Sequence, residues 1–201
     1  MKYFTSILLL ALTLSFAVQA HAATRDEQRA EIQKMQTGVL AKLYKFHPGA
    51  EKRIKDGVGY AVFSTADVAV GFFSGAYGHG LAHNNTTASD TYMQMGSAGV
   101  GLGLGVKDFR TVFVFSDAKA FRDFTNTGLD LSGHADLAAK QGAKGGAVGG
   151  EEDILPGVRV YQFTDTGLMA QVMLRGTKYW GDNDLNEHDQ SGNAVPVTPN
   201  H

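Results

Sequence analysis

Hydrophobic residues fall along this chain in three textures. The first is an unbroken apolar run from Phe4 to Val18 behind Lys2, ending in Ala20-His21-Ala22. A positive start, an apolar stretch and a small-x-small site predict a secretion signal over residues 1–22, cleaved before Ala23. The run is about 15 residues, short of the roughly 20 that a membrane-spanning helix needs. The second texture is a stripe: Ile32, Met35, Val39, Leu43 and Phe46 recur at intervals of three and four, which predicts an amphipathic helix over 26–46. Pro48-Gly49 stops it, and residues 50–56 read as one or two further helical turns.

The third texture begins at Val58. Tyr60–Phe63, Val68–Phe73, Tyr92–Met95 and Thr111–Phe115 are β-branched and aromatic runs separated by Gly, Ser, Thr, Asn and Asp, the signature of strands. His83–Asp90 reads as a polar loop between two of them. Ser116-Asp117 opens a short helix with Ala118, Phe121 and Phe124 on its apolar face, ending near Gly128. The glycine- and alanine-rich residues 133–150 read as a helix fragment leading into a flexible loop. Val158–Phe163, Leu168–Leu174 and Thr177–Trp180 read as closing strands, with Thr164-Asp165-Thr166-Gly167 as a hairpin turn. About seven strands result. The organisation is thus a signal over 1–22, a helical segment over 23–57, a β-rich unit over 58–184 and a polar, disordered tail over 185–201.

Within the β-rich unit, Gly99-Val100-Gly101-Leu102-Gly103-Leu104-Gly105-Val106 alternates strictly. Successive strand residues face opposite ways, so one face is bare backbone and the other is apolar. Gly71, Gly75, Gly78 and Gly80 have a similar character. Glycine weakens a strand and marks a close approach, so the bare face serves tight packing or, alternatively, a ligand.

Charge sharpens the picture of the helical segment. Residues 25–55 carry eight basic and four acidic residues, a net of +4, whereas the chain after the signal is acidic on balance. Lys34, Lys42, Lys45, Lys52, Arg53 and Lys55 are candidates to meet an anionic partner. The same segment's apolar stripe either packs on the domain core or enters lipid.

Candidate chemistry is sparse. The chain has no cysteine, which excludes disulfides, thiolate catalysis and cysteine zinc sites. No phosphate-binding loop or nucleophile elbow occurs. His79 and His83 share a strand face but lie roughly 13 Å apart, too far for one metal without a bend. Glu151-Glu152-Asp153 reads as a solvated loop edge. No catalytic residue, cofactor, metal site or nucleic-acid surface is predicted.

The order of these pieces resembles a known family. A basic amphipathic helix precedes Gly57-Val58-Gly59-Tyr60-Ala61-Val62-Phe63, then Gly75-Ala76-Tyr77-Gly78-His79-Gly80 and the 99–105 alternation. Val112–Phe115 follows, before Ala120-Phe121-Arg122-Asp123-Phe124, and the series closes with Gly167-Leu168-Met169-Ala170 and Leu174-Arg175-Gly176-Thr177. Over about residues 27–181 this resembles the SYLF domain, also called the Ysc84 family, and its secreted bacterial branch. One departure is Phe63-Ser64, where many members carry Phe-Pro. The resemblance implies binding of phosphoinositides or other anionic lipids, partly through the N-terminal helix. The actin binding of cytoplasmic relatives is not carried over to a secreted chain.

The expectations are therefore an α+β domain, with a twisted or barrel-like antiparallel sheet, an N-terminal amphipathic helix and a short mid-chain helix. Its function would be non-catalytic binding of an anionic phospholipid surface in the cell envelope, in the periplasm or outside the cell. The six cations above would meet headgroups, and Ile32, Met35, Val39, Leu43 and Phe46 would insert. A protein partner is the alternative.

Overall fold

The computed structural model describes residues 24–131, 151–168 and 176–187. The predicted secretion signal, the predicted helix fragment and loop over 133–150 and most of the predicted 168–174 strand lie outside these residues, as does the chain beyond 187.

Helix α1 runs over Arg25–Phe46 and α2 over Gly49–Asp56. Thr24 starts α1 with a capping box. Its hydroxyl accepts from the Glu27 amide, and its own amide donates to the Glu27 carboxylate at 2.8 Å. Strand β1 (Gly59–Asn84) and strand β2 (Ser89–Phe115) form one long antiparallel hairpin. Then come α3 (Ala118–Thr127), β3 (Leu129–Asp130), β4 (Glu151–Leu155), β5 (Val158–Thr164), β6 (Gly167–Leu168), β7 (Thr177–Gly181) and α4 (Asn183–Asn186).

The α+β architecture with a curled antiparallel sheet is what the sequence predicts, but the strands are longer and fewer at its centre. Glycines and polar residues that read as strand limits lie inside β1 and β2. The reason is that backbone ladder bonds form through either residue type, and the pairing continues with one register shift between Gly71 and Phe73. On its other edge β2 pairs with β7 through Met93–Ser97 and with β5 through Arg110–Phe115. The ends of the hairpin thus belong to two different parts of the sheet, and its middle must bend. Glu151–Leu155, read as a loop from sequence, is strand β4 paired with β5.

The curled sheet has two packed faces. On the inner face lie Ala61, Phe63, Met93, Met95, Phe113, Phe115 and Tyr179, closed by Phe121 and Phe124 of α3. Ring centroids of Phe63 and Tyr179 are 4.8 Å apart, and those of Phe113 and Tyr179 4.9 Å, in edge-to-face contacts. The outer face carries Tyr60, Val62, Val112 and Val114, covered by Val39 and Leu43 of α1 and by Ala50 and Ile54 of α2. Further along α1, Ile32 packs with Leu81, Tyr92 and Leu185.

Two expectations are corrected here. The α1 stripe does not stand free for insertion: Ile32, Val39 and Leu43 are buried, and Met35 and Phe46 are half-buried against the same clusters. Burying each aliphatic side chain is worth about 1.5–3 kcal/mol, and the sheet's outer face offers that surface within the fold. The first residues of the predicted tail are also held by the fold. Leu185 is buried, and Asn186 holds both the amide and the carbonyl of Tyr92 through its side chain, at 2.8 Å each.

Candidate functional site

The candidate surface is the solvent side of α1 and α2. Its position is fixed from beneath by polar contacts between helix and sheet. Arg29 donates to the carbonyl oxygens of Leu185 and Glu187, and its guanidinium lies 5.8 Å from the centre of the Tyr92 ring. Gln33 donates to the Tyr92 hydroxyl at 3.1 Å, and Gln36 to the Tyr60 hydroxyl at 2.8 Å. These bonds satisfy phenols that the helix takes out of water. Burial, with Tyr44 and Asp90 nearby, pushes the Tyr60 phenol up to about 12.

All six predicted headgroup residues, Lys34, Lys42, Lys45, Lys52, Arg53 and Lys55, are exposed. The fold gives four of them acidic neighbours. Lys42 meets Asp165 at 2.6 Å, joining α1 to the β5–β6 turn, and holds that carboxyl below its ordinary range. Lys55 pairs with Glu51 at 2.7 Å, and Lys52 pairs with Asp56, both at the i,i+4 spacing of α2. Arg53 lies close enough to lower Asp153, whose main partner is Arg159. Exposed pairs of this kind contribute little to stability. They do turn part of the cationic surface into a mixed one, which the run of basic residues in the sequence did not reveal.

His79 and His83 fall on the outer face, as their spacing implied. His83 Nδ1 is 2.7 Å from Asp90 Oδ1, its cross-strand partner, so the imidazole belongs to a polar pair at the hairpin end. Among the described residues, no group of three or more His, Asp or Glu side chains is placed to hold a metal ion. No described helix is long and apolar enough to cross a membrane.

A cavity of about 300 Å³ opens between α3 and the β4–β5 hairpin, floored by Phe115, Phe124, Leu129 and Val158. Asp117, Lys119 and Asp123 stand at its rim, with Lys119 bound to Asp123 at 2.6 Å and Asp117 capping α3. That rim is acidic on balance and suits no anionic headgroup.

Sequence reading passed over Tyr77 as a surface residue. It is 58% exposed, the one large hydrophobic side chain so placed among the described residues. Its signal lies in the β1–β2 register, which a single strand pattern does not supply.

The glycines find a physical reason where the hairpin folds back. A side-chain carbon at Gly78 would lie 2.5 Å from the Ser64 carbonyl oxygen, and one at Gly59 2.6 Å from that of His83. The two ends of β1 therefore approach backbone to backbone, which is the packing alternative at Gly78 and Gly80.

Comparison with known proteins agrees with this architecture. Residues 96–189 match the family model described as Ysc84, Las17-binding protein actin regulator. The chain is 31% identical over 165 residues to beta cell expansion factor A of Aeromonas veronii, an alignment covering 82% of this chain and 61% of that protein. It thus spans about three-fifths of the relative it matches. With the helix–hairpin order, the curled sheet and these two matches together, the chain belongs to the SYLF (Ysc84) family, a family of binding domains.

Proposed function

We propose that the protein binds anionic phospholipid, with phosphoinositide-like headgroups, at a membrane surface of the cell envelope and without catalysis. The observation that carries this reading is the exposure of all six cations on the solvent side of α1 and α2 while the apolar stripe beneath them is buried. The contact is then electrostatic and at headgroup level. Each basic residue near an anionic surface contributes roughly 1 kcal/mol, so the binding is weak and salt-sensitive. The leader over residues 1–22 supports a location in the periplasm or outside the cell, which a mature N-terminus at Ala23 would verify. Co-sedimentation of the purified protein with neutral and anionic vesicles across a salt series tests the function. Retention on anionic vesicles alone, falling with salt, is expected; equal retention on both would overturn it.

A second reading, a protein partner, is favoured by the acidic residues paired with Lys42, Lys52 and Lys55. Such mixed-charge surfaces suit complementary docking to another protein. Pull-down from envelope extracts with salt-sensitive recovery of one defined partner, together with no vesicle retention, would support it over lipid.

A further inference from the structure

The cavity of about 300 Å³ between α3 and the β4–β5 hairpin has no part in the membrane reading, and every residue lining it is among the described ones. It lies on the inner face of the sheet. Phe115, Phe124 and Val158 belong to the buried inner-face cluster, and Ala120, Leu129 and Leu155 pack against that cluster. Helices α1 and α2 cover the outer face, so the cavity and the exposed cations stand on opposite sides of the sheet.

The fold fixes its walls. At the start of α3 the Asp117 side chain accepts from the Ala120 amide at 2.7 Å, and the Ser116 amide donates to the Gly157 carbonyl at 2.9 Å. A side-chain carbon at Gly157, whose φ is +76°, would lie 2.7 Å from Asp117 Cβ, so the β4–β5 turn seats directly against the helix start. At the other end the Gly128 amide donates to the Phe124 carbonyl at 3.0 Å, and a carbon added to Gly128 would overlap the Tyr179 carbonyl oxygen. The helix that walls the cavity is therefore pinned at both ends. A ligand meets a preformed site, at the small end of the range for small-molecule pockets.

The lining sets the chemistry of that ligand. A dry cavity of roughly 150 Å³ lined by Leu, Ile and Phe accepts benzene, and this one has room for a ring with a short arm. A ring also suits the tilted pair of Phe115 and Phe124, whose centroids are 5.1 Å apart. The mouth differs from the floor. Asp117, Lys119 and Asp123 stand there, all exposed, and Lys119 is already bound to Asp123 at 2.6 Å. A carboxylate accepts from several directions, so capping α3 and pairing with Lys119 leave both aspartates able to accept from a further donor. Two carboxylates set against one engaged ammonium favour a cation over an anion.

We propose that this cavity binds a small hydrophobic amine. The apolar part, a single ring or a branched alkyl group, fills the floor, and the protonated nitrogen donates to Asp117 and Asp123 at the mouth. The site goes beyond the lipid reading and does not depend on it. It stays open while α1 and α2 hold headgroups, and each is tested without the other.

Benzylamine, benzyl alcohol and benzoate are three probes of similar size that separate floor from mouth. Each is titrated into the purified protein at neutral pH and low salt, and binding is followed by backbone amide NMR. Saturable shifts in α3 and the β4–β5 turn are expected for the amine and the alcohol. The amine should bind about fivefold more tightly, near the upper end for an exposed ion pair, and benzoate more weakly than the alcohol. Equal binding of all three, or no saturable shift with benzylamine, overturns the proposal. Ala120→Leu fills the cavity and should abolish the shifts; shifts that persist place the ligand elsewhere and overturn it too. If that variant melts below the parent, Ala120→Met takes its place with the same outcomes. Asparagine caps a helix as well as aspartate, so Asp117→Asn together with Asp123→Asn removes the charge and keeps the cap. The preference for amine over alcohol should then vanish, and its survival overturns the role of the two carboxylates. Shifts at the same residues that grow with protein concentration in the absence of any probe also overturn the proposal, since a second copy would then cover the cavity.

Discussion

A side-chain carbon on Gly80 would overlap the carbonyl oxygen of Val62, and a ring carbon of Phe63 would lie 2.8 Å from it. Both residues belong to β1, so the strand meets itself where the hairpin doubles back, and the contact is with backbone that cannot rotate away. Gly80→Ala is expected to destabilise the fold by at least the 1–3 kcal/mol typical of overpacking. Thermal melting checks this. A parent-like melt would mean that the two ends of β1 do not approach as closely as the structure shows.

Gly38 gives the opposite sign. It lies inside α1, on the exposed side, with no atom within 4 Å of the carbon that alanine would add. Alanine replaces the most flexible helical residue at no steric cost, worth about 1 kcal/mol. Gly38→Ala should therefore melt about 2–4 °C higher in a chain of this size. The pair of glycine variants separates backbone freedom from close packing by direction alone.

These two glycines also show how far the sequence was legible. The α1 stripe, its stop at Pro48-Gly49 and the Asp117 cap of α3 were readable because each depends on neighbours within one or two turns. So were the β texture and the close approach of backbone at Gly78 and Gly80. The partner of each glycine was not readable, because Gly80 meets Val62 only after the hairpin has bent. Strand limits were misplaced for a related reason: a glycine inside a ladder and a glycine at its end have the same local sequence. The destination of the stripe at Ile32, Val39 and Leu43 was also open, since lipid and a sheet face demand the same pattern. The neutralising partners of Lys42, Lys52 and Lys55 fall between these cases. Asp56 and Glu51 stand four residues away and were visible, whereas Asp165 reaches Lys42 only through the fold.

Leu43 decides the stripe experimentally. It is fully buried between α1 and the outer face of the sheet. Leu43→Ser removes aliphatic volume and adds a hydroxyl to that site. By analogy with large-to-small core changes, it should cost about 2–5 kcal/mol. A melting temperature lowered by roughly 5–15 °C follows for a chain of this length. An unchanged melt with weakened vesicle retention would return the stripe to lipid.

The tyrosines set the alkaline limit. Tyr60 has its phenol raised to about 12 by burial first, and Tyr44, Tyr92 and Tyr179 are also raised by burial. A group whose folded value lies above its ordinary one near 10 favours the neutral form in the fold. Its contribution is fully present below pH 10 and is lost as pH rises through 10 towards 12. Melting temperatures should accordingly fall steeply over that window. In Tyr60→Phe the fall should be shallower, because one of the phenols that the fold keeps neutral is gone.

The charge surface should respond differently from the core. Changing Lys42, Lys45, Lys52 and Arg53 to glutamine removes four exposed positive charges. Lys42 and Lys52 are held in exposed ion pairs and Arg53 lies near Asp153; exposed pairs are worth roughly 0–1 kcal/mol each. The melt should therefore move by only a few degrees, in contrast to Leu43→Ser. Vesicle attraction should fall by several kcal/mol, at roughly 1 kcal/mol per cation near an anionic surface. The loss should be largest at low salt. At an ionic strength of 0.1 M the screening length is about 10 Å, so parent and variant should converge as salt rises. Asp165 supplies an internal control, since Lys42 holds its carboxyl below the ordinary range. Its titration, followed by NMR, should move up in the variant whether or not lipid is present. A folded variant with a shifted Asp165 that still sediments like the parent on anionic vesicles would end the headgroup reading, because the charges would then be known to be gone and shown to be unnecessary.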